Sequence, residues 1–352
     1  MKVFDNFFEK IYDKDIALTG MTEELFGIYV NKLYDNKKNI LIVTSNLVES
    51  NSLYRSISNY TDNVYLFPMD DFLTSEAMAI SPDLMVTRLE TMEAISKGSP
   101  SIVITNLMGY LRYLPTKKEY LKSVLSLKVN DEISPKELVE RLTNIGYERT
   151  TLVTKTGEIG VRGFVIDIFP LGESNPVRLE FFGDTIDSIR YFDGKSQKSL
   201  NEIKSIEIYP YTEIFSNDTF IPEEKRNTKY LSEYGDVTNI GCYLDNHVTI
   251  YKDKSAILIN YKQICTDILE YREEKDTDFK GSYMFLFDDI YENDALHYLT
   301  VDNLDKSLKI IDFKSKELPL FNDDIEGITK YIREKLYANY TVIVCLKDYQ
   351  LH

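Results

Sequence analysis

Tryptophan is absent from this chain of 352 residues, and histidine and cysteine occur only three times each. His247, His297 and His352 lie far apart in sequence, so no metal-ligand spacing arises and no metal or other cofactor is expected. Cys242, Cys265 and Cys345 are odd in number, widely spaced and set among apolar residues, which predicts buried free thiols rather than a disulfide framework. Positive charge is also scarce. Lysine and arginine total 41 against 57 aspartates and glutamates, a formal net charge of −16 and a pI of about 4.8. Such an excess of carboxylates disfavours direct binding to a phosphate backbone, because no counterion release rewards the contact. No apolar run approaches the about 18 residues that a membrane-spanning helix needs, and no basic-apolar leader opens the chain. The expected location is the cytoplasm.

What is present is alternation. Thr22 is placed to cap a helix to about Asp35, and NILIVTS follows as a strand. Asn46 caps a helix to about Ser58, VYLF gives a strand, Ser81-Pro82-Asp83 opens a helix that Gly98 ends, and SIVITN gives another strand. A short amphipathic helix with Phe4, Phe7, Phe8 and Ile11 on one face precedes them. Strand alternating with helix predicts a parallel sheet with helices packed against it. Asp70-Asp71 reads as an exposed loop pair, since adjacent side chains point apart.

Near residue 115 the pattern changes. VLSLKVN is a strand, and Ser134, Pro135 and Glu137 form a capping box before a helix with Leu138, Val139, Leu142 and Ile145 in one stripe, stopped by Gly146. An antiparallel meander then runs from Gly157 to Asp193, with Gly183-Asp184 as a tight turn between VRLEFF and TIDSIRYF. Alternation sends Val177, Leu179 and Phe181 to the core and Arg178, Glu180 and Phe182 to the other face. An exposed phenylalanine beside an arginine has the composition of a protein-binding hot spot. The alternative is that Phe182 covers a loop and Arg178 pairs with Glu180. A bulge at Gly163 is predicted, to keep Phe164, Ile166 and Ile168 in the core and Arg162 outside.

From Tyr211 onward the α/β pattern returns. PEEKRNTKYLSEYG and YKQICTDILEYREEK read as helices, SAILINY as a buried strand, YMFLF and LKIIDF as short strands, and DDIEGITKYIREKLYANY as a helix feeding the strand TVIVCLK. EEKDTDFKGS, 273–282, reads as a solvated loop.

VRGFVIDIFP followed by VRLEFFGDTIDSIRYFD resembles the second domain of the excision-repair protein UvrB and of the amino-terminal module of the transcription-repair coupling factor Mfd. PMDDF and the RLETMEAI helix are similar to the Mfd module as well. The resemblance is strongest over about 60–210. It implies a UvrB-like, degenerate P-loop NTPase/helicase-type parallel-sheet domain interrupted by a small α+β domain with an antiparallel sheet. The expected division is 1–115 as domain 1A, 116–210 as the UvrA-binding domain 2, and 211–352 as domain 1B. The resemblance also implies UvrA as partner, docked by Arg162, Arg178 and Phe182 with Glu180 and Arg190 at the rim.

A working nucleotide site on such a sheet needs a glycine-rich loop ending in lysine and a hydroxyl. The corresponding stretch, LTGMTEELFG, keeps Gly20 and Thr22 but puts Glu23 and Glu24 where they would repel a triphosphate. The acidic motif expected at the end of a buried strand is replaced by Asn260 and Tyr261. The expectation is therefore a non-catalytic adaptor, a fragment whose family contacts DNA and RNA polymerase through downstream domains absent from this chain. The rivals are a divergent nucleotide hydrolase acting on DNA, and direct DNA binding.

Overall fold

The structure is a computed structural model describing residues 8, 16–35, 38–70, 81–216, 221–222, 225–300, 308–322 and 324–344. Phe4, Phe7, Ile11, Asp71, Cys345 and His352, singled out from the sequence, lie outside the described residues. The first half builds β1 (Ile16–Thr19), α1 (Glu23–Asp35), β2 (Asn39–Thr44), α2 (Leu47–Ile57), β3 (Val64–Phe67), α3 (Pro82–Ser96), β4 (Ile102–Asn106) and α4 (Leu107–Leu111). The predicted caps are in place. Thr22 Oγ1 accepts from the Leu25 amide at 3.3 Å and Asn46 Oδ1 from the Glu49 amide at 3.0 Å.

The chain then leaves this unit through β5 (Leu114–Pro115) and α5 (Lys117–Lys122). It makes β6 (Leu125–Lys128), α6 (Pro135–Asn144), β7 (Glu148–Arg149), β8 (Glu158–Arg162), β9 (Val165–Ile168), β10 (Val177–Phe182), β11 (Thr185–Phe192), β12 (Ser199–Ile203) and β13 (Ser205–Ile208). It returns through β14 (Val237–Thr238), β15 (His247–Lys252), α7 (Lys254–Lys275), α8 (Phe287–Ile290), β16 (Leu296–Leu299), β17 (Lys309–Asp312) and α9 (Ile325–Tyr337).

Seven strands form one parallel sheet in the order β17-β1-β16-β15-β2-β4-β3. Its two faces bury separate sets of side chains, as a parallel sheet covered on both sides requires. Ile16, Leu18, Ile40 and Ile42 meet Phe26 and Tyr29 of α1 and Leu53 of α2, whereas Leu41, Val43 and Val103 meet Leu89 and Met92 of α3 and Ile257 and Ile264 of α7. Since β15 pairs directly with β2, the returning chain fills the centre of the sheet that the insertion interrupted. The inserted segment has its own antiparallel core, a six-stranded sheet in the order β12-β11-β10-β9-β8-β7 against α6, in which only β7 and β8 run parallel.

Several expectations for the second half are corrected. SAILINY is the start of the helix α7, because Ile257, Tyr261, Ile264, Ile268 and Tyr271 recur at helical spacing and all pack on one core. The strands at this place are HVTIYK and LHYL, which the sequence reading passed over. PEEKRNTKYLSEYG contributes a short 3-10 helix at Thr228–Glu233. YMFLF forms no strand and runs into α8, and residues 341–344 of TVIVCLK are not strand either. Residues 273–275 belong to α7, and the following loop is anchored by buried Phe279 and by Asp276, which takes Lys229 Nζ at 2.5 Å. Cys242 and Cys265 are free thiols, but Cys242 is exposed and Cys265 half-buried rather than buried.

Candidate protein-docking site

The meander is organised by two tight hairpins. Arg162 on β8 pairs with Val165 on β9, so Gly163 and Phe164 form a two-residue turn, with Gly163 at φ +59°. That turn replaces the bulge predicted at Gly163 and reverses the phase by itself: Ile166 and Ile168 are core, Arg162 is outside, and Phe164, expected inside, is 64 % exposed. The second hairpin turns at Gly183-Asp184, with Gly183 at φ +63° and Phe182 opposite Thr185. The ladder's irregularity lies between Glu180 and Phe181, where Asp187 has no partner on β10.

On the inner face, Val177, Leu179 and Phe181 pack with Ile159, Ile166, Ile168, Ile186 and Ile189 against Leu138 and Leu142 of α6. Burial of such a stripe stabilises at about 25 cal/mol per Å² of apolar surface removed from water. The outer face carries the charges. Register places Gly160, Asp167, Arg178, Arg190 and Glu202 in one row across five strands, and Arg162, Val165, Glu180 and Ser188 in the next.

Arg178 is not paired with Glu180. Its Nε and Nη2 donate to Oδ1 and Oδ2 of Asp167 at 2.6 and 2.8 Å, its guanidinium stands 4.5 Å from the centre of the Phe192 ring, and Nη2 reaches Gln197 Oε1 at 3.4 Å. Glu180 instead pairs with Arg190 and accepts from Ser188 Oγ. With Asp167 2 % and Arg178 18 % exposed, this fork fastens β9 to β10 and keeps Arg178 engaged. Asp167 escaped the sequence reading, although an acid between Ile166 and Ile168 was the available signal. Arg178→Ala strands that carboxylate, and a loss of about 2 kcal/mol in stability is expected. Urea unfolding of the two proteins checks it.

Arg162 and Phe182 are placed differently. Arg162 is exposed and donates to the Thr151 carbonyl at 3.3 Å, and the Phe182 ring is 84 % exposed at the hairpin end. A cation and a ring held on rigid turns can meet a partner with little ordering cost.

Residues 125–214 match the UvrB interaction domain.

The chain is also similar to transcription-repair-coupling factors. That of Bacillus subtilis is 32% identical over 215 residues, 60% of this chain and 18% of the relative. That of Staphylococcus epidermidis is 32% identical over 237 residues, 65% of this chain and 20% of the relative. The chain thus spans about a fifth of the length of the curated relatives it matches.

Outside residues 125–214, the parallel-sheet unit places the residues read as a degenerate nucleotide site. Gly20 follows β1 at φ +63°, and a Cβ there would collide with the Asp312 carboxylate and come 2.9 Å from the Lys314 amide. The segment after β17 lies across this loop. The Thr22 amide, at the start of α1, donates to Ser315 Oγ at 2.8 Å, and Ser315 donates from both its amide and its hydroxyl to the Gly20 carbonyl. Glu23 accepts from Ser52 Oγ at 2.9 Å, and Glu24 is exposed. Asn260 and Tyr261 do not end a strand. Both lie on α7, where Asn260 Nδ2 donates to the Ser45 carbonyl at 2.6 Å and the Tyr261 ring packs on Phe287. Among the described residues no cluster of His, Cys, Asp or Glu could hold a metal ion, and no helix is long and apolar enough to cross a membrane.

Proposed function

We propose that this chain recruits the UvrA damage sensor through its UvrB interaction domain, as the amino-terminal module of a transcription-repair coupling factor acting in nucleotide excision repair in the cytoplasm. The observation that carries the reading is the end of the inserted sheet, where exposed Phe182 and exposed Arg162 stand beside turns of strands that the Arg178–Asp167 fork ties together. The ring supplies apolar contact and Arg162 a charge-assisted bond to a partner carboxylate. Glu180 and Arg190, already paired with each other, border the site.

The chain acts here as an adaptor with no nucleotide chemistry of its own. Support comes from Ser315, which accepts from the Thr22 amide just before α1, and from Glu23 and Glu24 at the helix entrance. Contacts with RNA polymerase and DNA belong to the remaining length of proteins of this kind, in keeping with a net charge of −16 on this chain.

Titration calorimetry with purified UvrA tests the proposal. Saturable binding is expected, and Arg162→Glu weakens it by about tenfold with an unchanged melting temperature, as removal of an exposed interfacial charge does. Absence of binding by the unaltered chain refutes the reading.

A further inference from the structure

Resting on that docking role, we infer that Phe164 is a second apolar anchor for the same partner, so that UvrA is met by the turn end of the sheet, where Arg162 also stands. The hairpins β8–β9 and β10–β11 turn at one end, because β9 and β10 run antiparallel and are joined at the other. Phe164 is the second residue of the first turn, and Phe182 immediately precedes the second. The Phe181 amide donates to the Phe164 carbonyl at 2.9 Å, which fastens the two turns side by side.

Turn chemistry does not call for this ring. Tight turns favour Gly, Asn, Asp and Ser, and the second hairpin obeys with Gly183-Asp184, whereas the first has Gly163-Phe164. The core does not account for it either, since the ring is 64 % exposed while its neighbours Ile166 and Ile168 are fully buried. The space around both turns is open: apart from each glycine's own chain neighbours, no described residue lies within 4 Å of where a Cβ on Gly163 or Gly183 would stand. One exposed apolar side chain is ordinary, but two large rings on adjacent rigid turns make an apolar relief with the character of a binding site.

Within the outer face Arg178 is engaged by Asp167 and Arg190 by Glu180, whereas Arg162, at the turn end of that face, is exposed. The matching surface on UvrA is therefore an apolar recess wide enough for two rings, bordered by a carboxylate facing Arg162.

Calorimetry of the full chain with UvrA decides it, using Phe164→Ala, Phe164→Leu, Phe182→Ala and the double alanine variant. Phe164→Ala is expected to weaken binding by about tenfold, Phe164→Leu by no more than about threefold, with melting temperatures unchanged. If the unaltered chain binds UvrA and Phe164→Ala stays within about twofold of it, this inference falls and the docking role stands. If the unaltered chain does not bind, both fall. If UvrA affinity is unchanged while Phe164→Ala dissolves a dimer of the chain, the ring serves a second copy and the inference is overturned.

Discussion

Replacing Glu213 by glutamine is expected to destabilise the folded chain by about 3 to 5 kcal/mol, because it leaves two buried guanidiniums without their counter-ion. Glu213 Oε1 takes Arg88 Nε at 2.7 Å and Oε2 takes Arg112 Nη2 at 2.8 Å, with side-chain exposures of 3 % for Glu213, 0 % for Arg88 and 5 % for Arg112. Arg88 also donates to the Pro68 carbonyl at 2.9 Å and Arg112 contacts Met69 Sδ at 3.4 Å. Arg88 lies on α3, Arg112 follows α4, and Glu213 comes five residues after the end of β13, so the triad fixes where the chain re-enters the parallel-sheet unit.

Burial alone raises the Glu213 pKa, but the charges and hydrogen bonds of Arg112 and Arg88 outweigh it and hold the value at about 2. A folded-state pKa below the unfolded one stabilises most above the unfolded value, about 4.3, and the gain disappears as pH falls through 2. It amounts to about 3 kcal/mol at neutral pH. Urea unfolding at pH 7 and pH 3 measures this. The gap between the unaltered chain and Glu213→Gln should narrow at the lower pH, and an equal gap at both would show that the carboxylate charge does not hold the junction.

Phe182→Ala is expected to lower affinity for UvrA by about 3 kcal/mol, more than a hundredfold, while stability stays within about 0.5 kcal/mol. The asymmetry follows from exposure: a ring that is 84 % accessible contributes little to folding and much to a contact that desolvates it. Adjacent Phe181, which is buried, should behave in the opposite way. Its alanine variant should lose about 3 to 5 kcal/mol of stability. Calorimetry on the first variant and urea unfolding on both separate the two roles. Equal losses of stability would remove the distinction between core and docking face.

Local signals carried the first half of the fold and the inserted unit. Asn46 and Ser134 cap where their spacing requires, and Gly183 turns the chain where a positive φ is needed. Alternation placed Val177, Leu179 and Phe181 inside and left Phe182 outside, whereas Arg162 was expected outside only through a bulge at Gly163, where a two-residue turn stands instead. Reading was weakest where one string fits two periods. SAILINY supports a strand or a helix until Ile264, Ile268 and Tyr271 extend the spacing to three more turns, and HVTIYK hides a central strand behind a histidine and a threonine. Ion pairs between distant residues leave no local trace: Arg88 and Glu213 are 125 residues apart, and Arg112 and Glu213 are 101 apart. The Arg178–Asp167 fork spans only 11 residues, yet it depends on the β9–β10 register across the loop that joins them, which the alternation within either strand does not give.

The most direct measurement is hydrogen exchange of the whole chain with and without saturating UvrA. Slowed exchange is expected at the two turns alone, at residues 162–165 and 181–185, with the parallel sheet and the outer row around Arg178 unchanged. Unaltered exchange at both turns, with protection elsewhere on the chain, would contradict it.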